Sequence, residues 1–211
     1  MINISSSGRV CSIIVRKGYA FHLFKKYITP KARILDVGCG IGHFIRQLDK
    51  YGYKAEGIDG VDYNQEVVGN LLDPLPWYDN TFDAITVWEV FEHLENPRFL
   101  IREINRVLKP NGYLFFSTPN HRHIESRIHF FLKGELWRWN EKNDHFNIWT
   151  GSIVKKSFPF LIIEHTTPHV ILGKYGILGR IRQKIKSIDK LLPENSWFGW
   201  FDVYVMRKLW K

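Results

Sequence analysis

The sequence predicts an α/β protein: a mostly parallel sheet with helices on both faces. Three observations carry that expectation. Short apolar stretches rich in strand-forming residues alternate with segments of helical periodicity. The first of these stretches runs straight into a glycine-rich turn and then a helix. With 211 residues and 45% hydrophobic content, the chain can bury one good core and is too short for two typical domains. A single domain over residues 1–211 is expected.

The elements follow in order along the chain. A helical segment, Val10–Tyr27, precedes Pro30, so residues 1–30 read as an N-terminal helical cap. The first strand is Arg33–Val37, and the glycine turn leads into a helix from about Ile41 to Lys50. The second strand is Lys54–Ile58. The third is weakly marked, at Glu66–Asn70. Phe82–Trp88 is a clear buried fourth strand. Pro97–Val107 is a helix with Phe99, Leu100, Ile104 and Val107 inward. Lys109-Pro110-Asn111-Gly112 is a turn, and Tyr113–Ser117 is the fifth strand. Residues 31–120 thus form the core of the fold. An irregular region rich in His and Trp runs to about Thr150, followed by a short helix at Ser152–Ser157 and a sixth strand at Leu161–Thr166. Ile177–Leu192 reads as a basic amphipathic helix, and Asp202–Arg207 as a seventh and last strand. No repeat or low-complexity run interrupts this layout.

Composition narrows the function classes. No stretch approaches the roughly 18 apolar residues of a membrane span, and no charged N-terminal region precedes an apolar run with a cleavage site. Cys11 and Cys39 are the two cysteines, too few for a disulfide framework. A cytoplasmic protein is expected. Residues 1–120 carry 14 Lys and Arg against 13 Asp and Glu, whereas residues 121–211 carry 16 against 8. The C-terminal part therefore favours anionic partners.

The turn after the first strand is Asp36-Val37-Gly38-Cys39-Gly40-Ile41-Gly42. Its alternate glycines let the backbone turn tightly and approach a ligand closely. A dinucleotide fingerprint would need glycine where His43 stands, and Asp36 would repel a pyrophosphate. A carboxylate here suits a cofactor that brings a cationic amino acid, which S-adenosylmethionine does. Asp59 follows the second strand, 23 residues after Asp36. There an α/β sheet offers a carboxylate to ribose hydroxyls. Asp83, opening the fourth strand, reads as a structural acceptor of backbone bonds.

These residues, together with Ile34-Leu35, Asp73-Pro74-Leu75-Pro76-Trp77, Phe82-Asp83 and Arg106-Val107-Leu108-Lys109-Pro110-Asn111-Gly112, resemble class I S-adenosylmethionine-dependent methyltransferases. The similarity is to the small-molecule subgroup of the ubiquinone-biosynthesis enzymes. It covers residues 30–120, and Asp144-His145-Phe146-Asn147-Ile148-Trp149-Thr150 extends it weakly. The resemblance implies a Rossmann-like methyltransferase fold, a seven-stranded sheet with an antiparallel last strand. It also implies that Asp36, Gly38, Cys39, Gly40, Gly42 and Asp59 hold the cofactor. Asp73 would accept from the adenine amino group, Leu72 would flank the ring, and Trp88 would lie beside the methionine portion.

Methyl transfer from a sulfonium is an in-line displacement that chiefly needs a positioned acceptor and excluded water. A hydroxyl acceptor benefits from a base. His93, in Glu89-Val90-Phe91-Glu92-His93 after the fourth strand, stands at the carboxyl edge where substrates bind. His93 and Glu89 are the catalytic candidates. By resemblance, the Glu-x-x-Glu-His pattern also suits a divalent ion, although no metal ligands are assigned. Capping or packing is the structural alternative. His121, His123 and His145 lie in segments expected to overhang the site, where each also fits a surface or core role.

The expected acceptor is a small-molecule or lipid-like oxygen or nitrogen compound, chosen by the N-terminal helix, region 121–150 and stretch 168–198 within the substrate-side part, residues 121–211. Trp137, Trp139, Phe146 and Trp149 suit either a lid or a core. Arg180, Arg182, Lys184, Lys186 and Lys190 in 177–192 suit an anionic membrane surface or an ordinary surface helix. Two other classes stay open. One is a nucleic-acid methyltransferase, favoured by the basic charge but lacking a recognisable RNA-binding module or an Asn/Asp-Pro-Pro-aromatic motif. The other is a non-catalytic S-adenosylmethionine-binding protein. The oligomeric state is not legible.

Overall fold

The computed structural model describes residues 15, 18–62, 67–139, 143–168 and 197–210. Through them the chain passes α1 (Tyr19–Phe24), β1 (Arg33–Val37), α2 (His43–Asp49), β2 (Lys54–Asp59), β3 (Val67–Val68) and β4 (Phe82–Trp88). A 3-10 turn (Phe91–His93), α3 (Pro97–Val107), β5 (Leu108–Pro119), α4 (Ile124–Lys133), α5 (Gly151–Ser157), β6 (Leu161–Thr166) and β7 (Phe201–Arg207) follow. Among the described residues the strands make one seven-stranded sheet of order β3-β2-β1-β4-β5-β7-β6. Pairing is parallel from β3 to β5. The last strand, β7, lies antiparallel between β5 and β6.

Period-2 alternation gives the sheet two apolar faces. Leu35, Val37, Ile85, Val87, Leu114, Phe116, Tyr204 and Met206 pack with Leu100, Ile101, Ile104 and Val107 of α3 and Val154 of α5. Ile34, Ala84, Phe115, Val203 and Val205 face the other way, against Ala20, Phe21, Leu23 and Phe24 of α1 and Phe44 and Leu48 of α2. Helices therefore cover both faces, as expected. Helix α3 begins where Asn96 accepts from the Phe99 amide at 3.3 Å and Pro97 fills the first turn, a cap the chain needs because first-turn amides lack partners.

Three expectations change. The predicted 10–27 helix is interrupted at Gly18, whose φ of 75° caps α1, and it ends at Phe24; residues 10–14, 16 and 17 lie outside the described set. The Lys109–Gly112 turn is a bulge inside β5: Phe82 pairs with Leu108 and Ala84 with Tyr113. Asn111 takes φ 63° there, and a Cβ on Gly112 would stand 2.8 Å from the Lys109 carbonyl. The region after β5 is not wholly irregular, because α4 occupies Ile124–Lys133. It is capped by His123, whose Nδ1 accepts from the Glu125 amide at 3.2 Å, and is stopped by Gly134 at φ 73°. The 177–192 helix lies outside the described residues. Asp83 takes the structural role, accepting from the Arg33 amide and from Lys109 Nζ, each at 2.8 Å.

The N-terminal helix reaches the far edge strand. Lys26 Nζ donates to Glu164 at 2.7 Å, Tyr27 donates to the same carboxylate, and Tyr19 and Thr166 share a 2.8 Å hydroxyl bond.

Candidate active site

In the order β2-β1-β4-β5, the chain winds away from β1 in both directions. The crevice beyond the carboxyl ends of β1 and β4 is where such sheets bind ligands. The turn after β1 and the segment after β4 meet there. Gly38, Gly40 and Gly42 all have positive φ, at 72°, 51° and 72°, which glycine adopts without a Cβ penalty. Gly38 has a second constraint: a Cβ would stand 2.3 Å from Val90 Cγ2. The two loops touch at that point, and Val90 is a contact sequence reasoning missed.

The turn's amides point inward. Gly38 and Cys39 both donate to the Ile58 carbonyl, at 2.8 and 3.2 Å. Gly40 donates to Asp59 Oδ2 at 2.8 Å, and Val61 donates to Asp59 Oδ1 at 3.0 Å. A pyrophosphate cradle needs such amides turned toward the ligand, so this turn offers a close-packed backbone surface instead. Asp59, at the end of β2, locks the turn to that strand. Cys39 faces inward, 8% exposed, with its thiol set toward Gly57. Burial, and then Asp36 and Asp59, hold that thiol far above its ordinary range and hence protonated. It can meet a ligand only through its backbone.

Asp36 is 2% exposed and pairs with Thr86 in the parallel register. The Thr86 hydroxyl donates to its Oδ1 at 2.5 Å. Burial raises this carboxyl to about 7; the Thr86 bond opposes the rise and the Asp59 charge adds to it. A cation arriving nearby would reverse the shift, because opposite charge favours the ionised form. Trp88, at the end of β4, lies edge-on to Phe44 with centroids 5.5 Å apart. Its buried indole N–H has no partner in the protein, an orphan donor beside the crevice. Leu72 and Asp73 sit on an exposed turn organised by Asn70, which accepts from the Leu72 amide through Oδ1 and from the Asp73 amide through its carbonyl.

Beyond β4, Glu89 takes φ 55°, a left-handed backbone that is uncommon for a residue with a side chain and marks a functional-site candidate. Glu92 is fully buried with neither carboxylate oxygen hydrogen-bonded. Burial, and then the Glu89 charge, push its pKa well above the usual range. His93 Nδ1 lies 3.1 Å from the Asp144 carbonyl and 3.2 Å from Asp144 Oδ1. Its ring is edge-on to His145 at 4.7 Å. Burial, and then His93 and Arg138, lower His145 to about 4, so it is a neutral imidazole, and its Nδ1 is buried and unpartnered. Glu92, His93 and His145 each bring a ligand atom to within 4.8 Å of the others. The segment carrying Asp144 and His145 is anchored here by the Phe146 and Asn147 amides on the Glu92 carbonyl, at 2.7 and 3.2 Å.

Sequence reasoning named His145 only as one of several overhanging histidines and did not name Asp144 as a partner. The signal available was the Asp144-His145 pair in the weakly matching run. His121 and His123 go elsewhere: His121 lies near Trp139, and His123 caps α4 against the Trp200 ring. Trp149 is core, at 3% exposure among Phe91 and Phe158. Trp137 packs on Trp200, and Phe146 is exposed.

Comparison with known proteins gives three findings. A family model described as a methyltransferase domain matches residues 14–158. The ubiquinone biosynthesis O-methyltransferase of Histophilus somni is 36% identical over 112 residues, covering 44% of this chain and 47% of that protein. The Xanthomonas campestris protein of the same name is 35% identical over 109 residues, covering 43% and 44%. The chain therefore spans about half the length of the curated relatives it matches. Among solved structures, an S-adenosylmethionine-dependent methyltransferase from Archaeoglobus fulgidus has TM-score 0.57 at 21% identity, over 92% of this chain and 94% of that one. The [4+2]-cyclase SpnF has TM-score 0.62 at 19% identity, over 92% and 80%. Such likenesses establish the fold, and the cyclase shows that the fold does not dictate the reaction.

Proposed function

Because the chain belongs to the methyltransferase-domain family, we propose that it transfers a methyl group from S-adenosylmethionine to an oxygen or nitrogen of a small-molecule or lipid-like acceptor. The observation that carries this reading is the glycine turn. Its amides are bonded inward to Ile58 and Asp59, its Gly38 has no room for a side chain, and a buried carboxyl, Asp36, lies beneath it. That combination suits a cationic amino-acid group and disfavours a phosphate. In this reading Gly38, Cys39, Gly40 and Gly42 contribute backbone surface, Asp36 faces the ammonium and Asp59 accepts from the ribose hydroxyls. Asp73 accepts from the adenine amino group, Leu72 flanks the ring, and Trp88 borders the methionine portion, where its orphan N–H gains an acceptor.

The bound cofactor supplies an activated methyl electrophile. What remains for the protein is to hold the acceptor in line, exclude water and remove a proton. His93 is the base. With Nδ1–H directed at Asp144, its Nε2 keeps the lone pair that takes the acceptor's proton, and Asp144 fixes the ring and favours the imidazolium as it forms. Glu89 is held at the crevice by its left-handed backbone, where its carboxylate faces the acceptor. The buried Phe91 and Trp149 form the dry floor behind this segment.

A second reading is favoured by one observation, the convergence of Glu92, His93 and His145. A buried carboxylate with both oxygens unpartnered and two imidazoles make a donor set suited to a borderline or hard divalent ion. His93 would then be a ligand, and the ion would activate the acceptor oxygen. The two readings part on chelation: a base at His93 leaves transfer insensitive to EDTA, and a metal makes it EDTA-sensitive and restorable by one divalent ion.

Calorimetric titration with S-adenosylmethionine, S-adenosylhomocysteine and, as control, NAD tests the cofactor. Micromolar binding of the first two alone supports the proposal, and no binding removes it. Labelled methyl transfer into separate quinol, lipid and RNA pools then decides the acceptor class. Label in RNA alone would replace the small-molecule reading, and cofactor binding without label in any pool would indicate a non-catalytic binding protein.

A further inference from the structure

Strands β5 and β7 carry polar side chains into an apolar face of the sheet. The register sets Phe116 opposite Tyr204 and Thr118 opposite Asp202, and residues two apart on a strand point to the same side. Phe116 and Tyr204 belong to one core, so Thr118 and Asp202 share its side, nearer the carboxyl edge. All three polar residues are closed off from solvent: Thr118 is 0%, Asp202 1% and Tyr204 1% exposed. A carboxylate this deep needs partners. Asp202 Oδ1 has them, accepting from Arg122 Nη2 at 2.7 Å, His165 Nε2 at 2.8 Å and Thr167 Oγ1 at 3.1 Å.

The rest of the cluster is unsatisfied. Among the described residues, Asp202 Oδ2, Thr118 Oγ1, Tyr204 Oη, Arg122 Nε and His121 Nδ1 are buried with no hydrogen-bond partner. Buried polar atoms are nearly always bonded to protein or water, so this many beside one carboxylate mark a place where a polar group belongs. Their chemistry selects the group. The free carboxylate oxygen repels an anion. Arg122 on the same carboxylate, and Arg127, whose Nε donates to the Arg122 carbonyl at 2.7 Å, disfavour a cation. Burial, and then the Asp202 charge, raise the Tyr204 phenol; it keeps its proton and, like Thr118, both donates and accepts. A neutral hydroxyl matches this set, donating to Asp202 Oδ2 and accepting from Tyr204, Thr118 or Arg122 Nε.

The cluster lies across β4 from the glycine turn. Thr118 follows Ser117, whose carbonyl accepts from the Glu89 amide at 3.3 Å. Phe116 stands between Phe91 and Tyr204, with centroids 5.5 and 4.8 Å away. Two strand spacings, roughly 10 Å, separate β4 from β7, a span one small molecule can bridge. Arg122 and His165, bonded to Asp202 yet 36% and 34% exposed, form the outer rim. We propose that Asp202, Tyr204 and Thr118 bind a hydroxyl group of the methyl acceptor, apart from the atom that is methylated. Placing that hydroxyl on the acceptor rests on the methyltransferase reading above; the site itself does not.

Saturation-transfer NMR on the full chain tests it, with methyl α-D-glucopyranoside and resorcinol as probes, so that a sugar hydroxyl and a phenolic one are told apart. At least one probe is expected to bind the wild type. Tyr204→Phe/Thr118→Val keeps both shapes and breaks no hydrogen bond among the described residues. Without probe its melting temperature should match or exceed that of wild type, because unbonded buried hydroxyls are removed, while probe affinity falls about tenfold. Spectra are taken with and without S-adenosylhomocysteine. Variant-sensitive probe binding by a protein that fails to bind this cofactor product would remove the methyl-acceptor reading and leave the site standing. Two outcomes overturn the site. One is that neither probe binds in a variant-sensitive way. The other is a double variant that melts several degrees lower and binds probe like wild type, which would assign the hydroxyls to permanently buried water.

Discussion

Replacing Gly38 with alanine probes the join between the two halves of the candidate site. At φ 72° an L-residue is disfavoured by roughly 1–2 kcal/mol. The new methyl would also stand 2.3 Å from Val90 Cγ2, an overlap that forces movement costing about 1–3 kcal/mol. The sum is about 2–5 kcal/mol. For a protein of this size 3 kcal/mol lowers the melting temperature by roughly 6–12 °C. A double-mutant cycle separates the parts. Val90→Ala alone should cost at most about 1.5 kcal/mol, the transfer value of the lost carbons at full burial, and Val90 is only partly buried. In the double variant the overlap is gone and only the backbone strain persists, so the two costs should fall short of additive by about 1–3 kcal/mol. The assay is urea or thermal unfolding of the four proteins, repeated with S-adenosylhomocysteine, which should raise the wild-type melting temperature far more than that of Gly38→Ala. Strict additivity, or a Gly38→Ala protein as stable as wild type, would refute the contact between the loops.

Other predictions probe the carboxylates and the histidine. Asp59→Ala should weaken S-adenosylmethionine binding by about 1.5–3 kcal/mol and also lower stability by orphaning the Gly40 amide; Asp59→Asn, keeping one carbonyl acceptor, should restore more stability than affinity, read by calorimetry and unfolding. Asp36 titrates near 7 when folded and near 3.8 when unfolded. Between those values the folded state holds the extra proton, so the ligand-free protein loses stability as pH rises from about 4 to 7 and is flat above; Asp36→Asn should remove that slope in unfolding measured across pH. Cofactor binding below pH 7 should release a proton, seen as a dependence of calorimetric enthalpy on buffer ionisation, and Asp36→Asn should abolish the release. His93→Ala should spare cofactor affinity and slow transfer, and Asp144→Asn, which leaves the Asp144 backbone carbonyl in place, should slow it less; unchanged turnover in the first would remove the base.

The strands β1, β4 and β6 and helix α3 were legible to the residue because each is an apolar run bounded by its own punctuation, such as Pro97 behind Asn96. The glycine turn was legible for the same local reason. Helix α4 was not, because its apolar stripe faces solvent and the surrounding His and Trp residues suggested irregular chain. The bulge in β5 was missed because Lys109-Pro110-Asn111-Gly112 carries turn chemistry, and only pairing to Phe82 and Ala84 shows that the strand continues around it. The partners within the site were least legible. Asp144 lies 51 residues from His93 and Thr86 lies 50 from Asp36. Such contacts are set by the register of the sheet, not by local pattern, although a threonine hydroxyl inside the apolar β4 run hints at a buried partner.

The place of β7 has a consequence for how the protein is made. Among the described residues, strand β6 joins the sheet only through β7, and β7 is synthesised 35 residues after β6 ends. At about 5–20 residues per second, β6 waits on the ribosome for roughly 2–7 s without a sheet neighbour. Over a still longer interval, the edge of β5 stays open with Leu114, Phe115 and Phe116 beside it. Unpaired edges of this kind invite pairing with other chains. The nascent protein is therefore most exposed to aggregation while its glycine turn is already complete, and a cofactor that stabilises the early half would shorten that exposure only if it also speeds the arrival of β7.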